Sequence, residues 1–207
     1  MRCDKINDVY GHSNSECLND IERMFAMVYL FLAEGFEIIE ALTPVDILRR
    51  GKVDIKTVGV GGKMIRSSHG IAVEADMTLD QLVLDDDVQA VILPGGMPGT
   101  LNLEKSSGVI EAVTYCFERN LLIGAICAAP SILGHLGMLN GKKATAFPGF
   151  ENDLQGAVCR NGYVEHDGQI ITARGMGVAT EFGLELLSAL QGEAAAAQVK
   201  AAIQCRP

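Results

Sequence analysis

An α/β domain built on a mostly parallel sheet, with helices over both faces, is the fold class that this sequence predicts. Three observations carry the expectation. Apolar runs such as Met27 to Leu32 and Leu121 to Cys127 lack the alternation of a half-exposed strand. Segments with helical spacing of apolar residues alternate with them, and Gly or Pro punctuates the run ends.

The elements follow in order. Met27 to Leu32 reads as a buried first strand, ended by Gly35, and Glu37 to Arg50 carries Ile38, Ile39, Leu42, Val45 and Leu48 at helical spacing, with Pro44 expected to kink the helix. Asp54 to Val60 reads as a second strand, Gly61-Gly62 as a turn, and Met64 to Val73 as one or two short strands. Val88 to Leu93 is a buried strand stopped by Pro94-Gly95-Gly96, Gly108 to Glu118 is helical, and Leu121 to Cys127 is again a buried strand. Gly162 to His166 and Gln169 to Ala173 form a hairpin around Asp167-Gly168, and two helices, Val178 to Leu190 and Glu193 to Gln204, end the chain.

The 207 residues suit one domain with a core that needs no disulfide or metal staple. Hydrophobic residues at 48% and charged residues at 21% exclude a disordered chain, and no apolar run reaches the length of a bilayer span. A net charge of −9 argues against strong nucleic-acid binding. With no apolar stretch behind Met1 to serve as a signal peptide, the expected location is cytoplasmic. The six cysteines show neither a disulfide framework nor metal-ligand spacing, so no metal site is expected. Residues 1–26 are polar and aperiodic and read as an N-terminal extension, a disordered leader or a start placed too early, with the domain at 27–207. Within that extension Asp4 to His12 resembles a fragment of the diguanylate cyclase signature, but the cyclase's catalytic motif is nowhere in the chain and no function is assigned to it.

In parallel sheets ligands bind at the carboxyl ends of strands. Three such ends stand out: Ala33-Glu34-Gly35, Leu93-Pro94-Gly95-Gly96 and Ile126-Cys127-Ala128. Cys127 ends its strand before Ala128, Ala129 and Pro130, a sequence that permits a sharp turn into a helix. At such an elbow the helix dipole and unpaired backbone N–H groups favour thiolate, and the same N–H groups suit an oxyanion. The competing reading is a small buried hydrophobe. Glu40 is an acid in the first turn of an otherwise apolar helix; buried, it would stay protonated and donate to a thiolate, whereas exposed it would only favour the helix N-terminus, a description that also fits Glu37.

Taken together, Ala33-Glu34-Gly35-Phe36-Glu37 with Glu40, Pro44-Val45-Asp46, Leu93 to Gly96, Ile126 to Pro130 and Arg174-Gly175-x-Gly177 resemble the ThiJ/PfpI superfamily, nearest the branch of the Parkinsonism-associated deglycase and its bacterial relatives. The resemblance spans Met27 to about Ile203. It implies a flavodoxin-like three-layer sandwich with a nucleophile elbow, a homodimer, an oxidation-sensitive cysteine at Cys127 and a protonated glutamate at Glu40. It also implies an anion pocket formed by the N–H groups of Gly96 and Ala128. The implied function is a cofactor-independent enzyme, glyoxalase III-like or deglycase-like, acting on small aldehydes or early glycation adducts. Alternatives are a non-enzymatic oxidative-stress sensor or chaperone using Cys127 oxidation and, disfavoured, a cysteine peptidase. The peptidase is disfavoured because Phe147-Pro148 stands where many members carry a His-Pro pair, and His135, roughly 12 Å along a helix from Cys127, is out of reach. His12, His69 and His166 show no tie to the elbow.

Overall fold

The computed structural model describes residues 26–205, so the expected N-terminal extension, with its Asp4 to His12 stretch, lies outside the described residues except for Ala26. Strand β1 (Met27–Ala33) shows why helices are needed on both faces of the sheet. Val28, Leu30 and Leu32 enter one core, while Tyr29, Phe31 and Ala33 enter the other. A strand buried on both sides has no polar alternation to display. It pairs in parallel with β2 (Asp54–Val60) and β6 (Val88–Leu93), and β6 pairs in parallel with β7 (Leu122–Ile126).

Beyond β7 lies β11 (Ile170–Ala173), parallel to it, and at the edge β10 (Val164–Asp167), which joins β11 in the expected antiparallel hairpin. With β5 (Met77–Thr78) at the opposite edge, the seven strands run in the order β10-β11-β7-β6-β1-β2-β5. The Met64 to Val73 region becomes β3 (Met64–Arg66) and β4 (Ala72–Glu74), an antiparallel pair outside the main sheet, and a second small pair joins β8 (Lys143–Ala144) to β9 (Val158–Cys159).

One core is covered by helices α1 (Ile38–Arg50), α5 (Ala179–Gln191) and α6 (Glu193–Ala202). The other is covered by α2 (Gly99–Lys105), α3 (Ser107–Glu118) and α4 (Pro130–His135). The result is the three-layer, flavodoxin-like α/β sandwich. Pro44 sits inside α1, which nevertheless runs unbroken from Ile38 to Arg50. Its ring is buried where α5 crosses: a Cβ on Gly183 would lie 3.2 Å from Pro44 Cα and 2.8 Å from Ile47 Cδ1, so glycine is what lets the helices approach.

Candidate active site

Because β7, β6 and β1 are parallel neighbours, the three marked strand ends meet at one edge of the sheet. Cys127 leaves β7 with φ +65°, a left-handed conformation that costs a residue with a Cβ about 1–2 kcal/mol. Its backbone is held there from both sides. The Cys127 N–H donates to Ala173 O at 2.8 Å, and Phe147 N–H donates to Cys127 O at 2.8 Å. Pro130 then opens α4 directly after Ala129.

The two acids at the start of α1 divide their roles. Glu37 is the N-cap, its Oε2 accepting the Glu40 N–H at 2.7 Å. Glu40 turns inward instead and is 1% exposed. Its Oε2 accepts from Gly95 N–H at 3.0 Å, its carboxyl also accepts from the Met176 N–H, and it is a hydrogen-bond partner of the Cys127 thiol. Gly95 in turn accepts from Glu37 N–H at 2.9 Å, fastening the end of β6 to the start of α1. A Cβ on Gly95 would stand 2.6 Å from both Cys127 Cβ and Glu40 Oε2, so the acid and the thiol can meet only across a glycine.

Burial is the main cause that pushes the Glu40 carboxyl up, to about 7; the charge of Glu37 adds to it, while the Cys127 thiol and the N–H groups of Gly95 and Met176 oppose it. The carboxyl is therefore poised to hold or release a proton near neutrality. Cys127 is half-buried. Its thiol is pushed up to about 12, first by burial, then by the negative charge of Glu40 and the hydrogen bond with it, against the N–H groups of Ala128 and Gly96.

This corrects the expectation that the elbow by itself favours thiolate. Helix α4 has only six residues, and its short dipole does not outweigh desolvation. Two of the upward pushes, however, require an ionised Glu40. Once Glu40 is protonated, it carries no charge and donates to sulfur, so the pair favours one negative charge and one proton shared between them.

The N–H groups of Gly96 and Ala128 both face the Cys127 sulfur. Gly96 has φ +94°, and a Cβ on it would lie 2.6 Å from Gly35 O, which ties this donor to the end of β1. Phe147 occupies the elbow's flank. Its backbone holds Cys127 O, and its ring stands beside Gly175, where a Cβ would be 3.3 Å from Phe147 Cδ2 and 3.7 Å from Glu40 Oε1.

The histidines are engaged elsewhere. His135 bonds Glu104 at 2.5 Å and approaches Asp153 at 3.6 Å, His166 bonds Glu185 at 2.7 Å and Gly168 O at 3.0 Å, and His69 bonds Ser68 at 3.1 Å. His12 lies outside the described residues. Among the described residues no group of three His, Cys, Asp or Glu side chains could hold a metal ion. Sequence reasoning overlooked Gly95 and Met176 as donors to Glu40. The double glycine after Pro94 was a usable signal for the first, since two successive glycines at a strand end mark a close approach.

Comparisons with known proteins place the whole fold in one family. The family model described as DJ-1/PfpI family matches residues 26–189. The Parkinson disease protein 7 homolog of Danio rerio is 34% identical over 176 residues, covering 83% of this chain and 93% of that protein. Protein DJ-1 homolog B of Arabidopsis thaliana is 35% identical over 183 residues, 87% of this chain, which spans only 42% of that longer relative. The chain likewise matches 47% of the length of Arabidopsis DJ-1 homolog A. Among solved structures, oxidized DJ-1 of Toxoplasma gondii superposes with a TM-score of 0.82 at 29% identity, covering 86% of this chain and 98% of that one. DJ-1beta of Drosophila melanogaster gives 0.82 at 31% identity, covering 88% and 99%.

Proposed function

The chain belongs to the DJ-1/PfpI family, and from that premise we propose that it is a cofactor-independent enzyme of the glyoxalase III or deglycase type, with Cys127 as nucleophile and Glu40 as general acid and base. One observation carries the reading: a carboxyl that is 1% exposed, with a pKa raised to about 7, is hydrogen-bonded to a cysteine on an elbow. A purely structural acid would not be buried against a thiol at the open end of a sheet.

With methylglyoxal, the Cys127 sulfur adds to the aldehyde carbon while its proton passes through Glu40 to the aldehyde oxygen, giving a hemithioacetal and leaving Glu40 ionised. The N–H groups of Gly96 and Ala128 are suited to stabilise the oxygen as it becomes negative. Glu40 then carries the proton from the first carbon to the second through an enediol, the hydroxyl proton passing from the first oxygen to the second. This shift leaves a lactoyl thioester, whose hydrolysis by one water releases lactate and restores the thiol. An early glycation adduct has the same hemithioacetal or hemiaminal carbon within reach of the same pair. The test is lactate formation from methylglyoxal by the wild type and by Cys127→Ser. Equal rates would remove the proposal.

A second reading draws on the same donors. Two N–H groups facing a half-exposed sulfur, with a protonatable acid beside it, also suit the oxygens of a sulfinate, formed when two peroxide molecules each deliver one oxygen and leave as water. A Cys127 mass gain of two oxygens under peroxide, in a protein that turns over no aldehyde, would favour a redox sensor. The peptidase reading stays disfavoured, since none of the three described histidines bonds Cys127.

A further inference from the structure

We propose that Phe147 is the specificity-determining residue of the Cys127 site, walling a groove that takes an aryl or branched aliphatic substituent on the carbonyl substrate. The inference rests on the reaction proposed above and names its substrate class.

A groove of about 380 Å³ runs between Phe147, Tyr163, Gly175, Met176 and Val178. It adjoins the reacting groups through Phe147, Gly175 and Met176. The Phe147 N–H is bonded to Cys127 O, a Cβ on Gly175 would face both the Phe147 ring at 3.3 Å and Glu40 Oε1 at 3.7 Å, and the Met176 N–H is bonded to Glu40. Phe147, Tyr163 and Met176 are 48%, 68% and 57% exposed, so three large apolar side chains converge there with much of their surface uncovered. The cation lining the groove, Arg174, lies over the Tyr163 ring at 5.8 Å from its centroid.

A methyl substituent on a carbon bound to sulfur is too small to cover these rings. An aryl or isobutyl group would remove apolar area from water on both partners, and each square ångström so buried is favourable. An aromatic wall beside Glu40 thus replaces proton-transfer capacity with apolar contact area. Discrimination of this kind in an apolar pocket amounts to about tenfold.

The groove can be read without turnover. Alkylation of Cys127 by 2-iodo-N-benzylacetamide and by 2-iodoacetamide is followed by mass spectrometry of the Cys127 peptide, each rate being divided by the rate with a free thiol. The ratio cancels changes in thiol ionisation. The expected wild-type ratio is about 10 in favour of the benzyl reagent, falling to about 1 in Phe147→Ala and only partly in Phe147→Leu. A wild-type ratio near 1, as when a second copy of the chain seals the groove, overturns the proposal. So does a ratio unchanged in both Phe147→Ala and Met176→Ala. In parallel, kcat/KM for isobutylglyoxal is compared with that for methylglyoxal. Turnover of neither, with the benzyl preference intact, sinks the reaction proposed above while supporting the groove; equal kcat/KM values in an active wild type overturn the specificity role.

Discussion

At the scale of single residues, the site turns on where one proton resides. Glu40 holds its proton up to about pH 7 because it is buried, and a protonated Glu40 is the donor that a Cys127 thiolate needs. Glu40→Gln keeps a donor for sulfur but cannot move a proton. Turnover of methylglyoxal should fall by roughly 10²–10⁴, whereas Cys127 alkylation should persist in part; Glu40→Ala should lose both. Wild-type turnover in Glu40→Gln would show that another group carries the proton. The same residue makes stability depend on pH. The folded pKa lies above the ordinary 4.5, so the native state binds the extra proton and its contribution is fully present below pH 4.5 and lost as pH rises through about 7. Relative to Glu40→Gln, whose amide never ionises, the wild type should lose about 3 kcal/mol between pH 4.5 and 8 in urea unfolding. A constant difference across that range would mean that the carboxyl does not titrate where its burial places it.

At the scale of elements, the elbow is a strained connection held by its neighbours. Cys127 at φ +65° is fixed by hydrogen bonds to Ala173 and Phe147, so removing the Cβ should relieve strain without releasing the turn. Cys127→Gly should exceed Cys127→Ala in stability by about 1 kcal/mol, although glycine elsewhere loosens a chain. Greater stability of the alanine variant would show that the turn is relaxed. The sheet was legible because β1, β6 and β7 each bury both faces and read as apolar runs, broken in β6 only by Gln89. Helix α2 was not: seven residues beginning Gly99-Thr100 are too few to display a period. The two-residue strands β5, β8 and β9 exist only through partners distant in sequence. Cys127 and Glu40 stood out by their places in the chain, but the height of the thiol pKa did not. It depends on how deeply β6, α1 and the Gly175 turn enclose the sulfur, which no local pattern records.

At the scale of the whole molecule, two exposed apolar side chains flank the site from different elements. Ile39 on α1 is 44% exposed and Met176 is 57% exposed, and their segments are tied together because the Met176 N–H is bonded to Glu40 in the first turn of α1. An apolar surface held rigid by a buried acid is suited to a second copy of the chain, although two copies each carrying −9 repel one another over a distance that salt shortens. A homodimer should therefore form through α1 and the near edge of the Arg174 to Gly177 turn, with the Phe147 and Tyr163 wall of the groove left uncovered, more tightly at 0.15 M salt than at low ionic strength. Sedimentation at micromolar concentration should show twice the 22.1 kDa of one chain. Ile39→Glu puts a charge into that contact while leaving Glu40 buried, and should shift the species towards 22.1 kDa without unfolding it. A wild type that sediments only at 22.1 kDa would leave Met176 to the substrate groove alone and remove the dimer from the account.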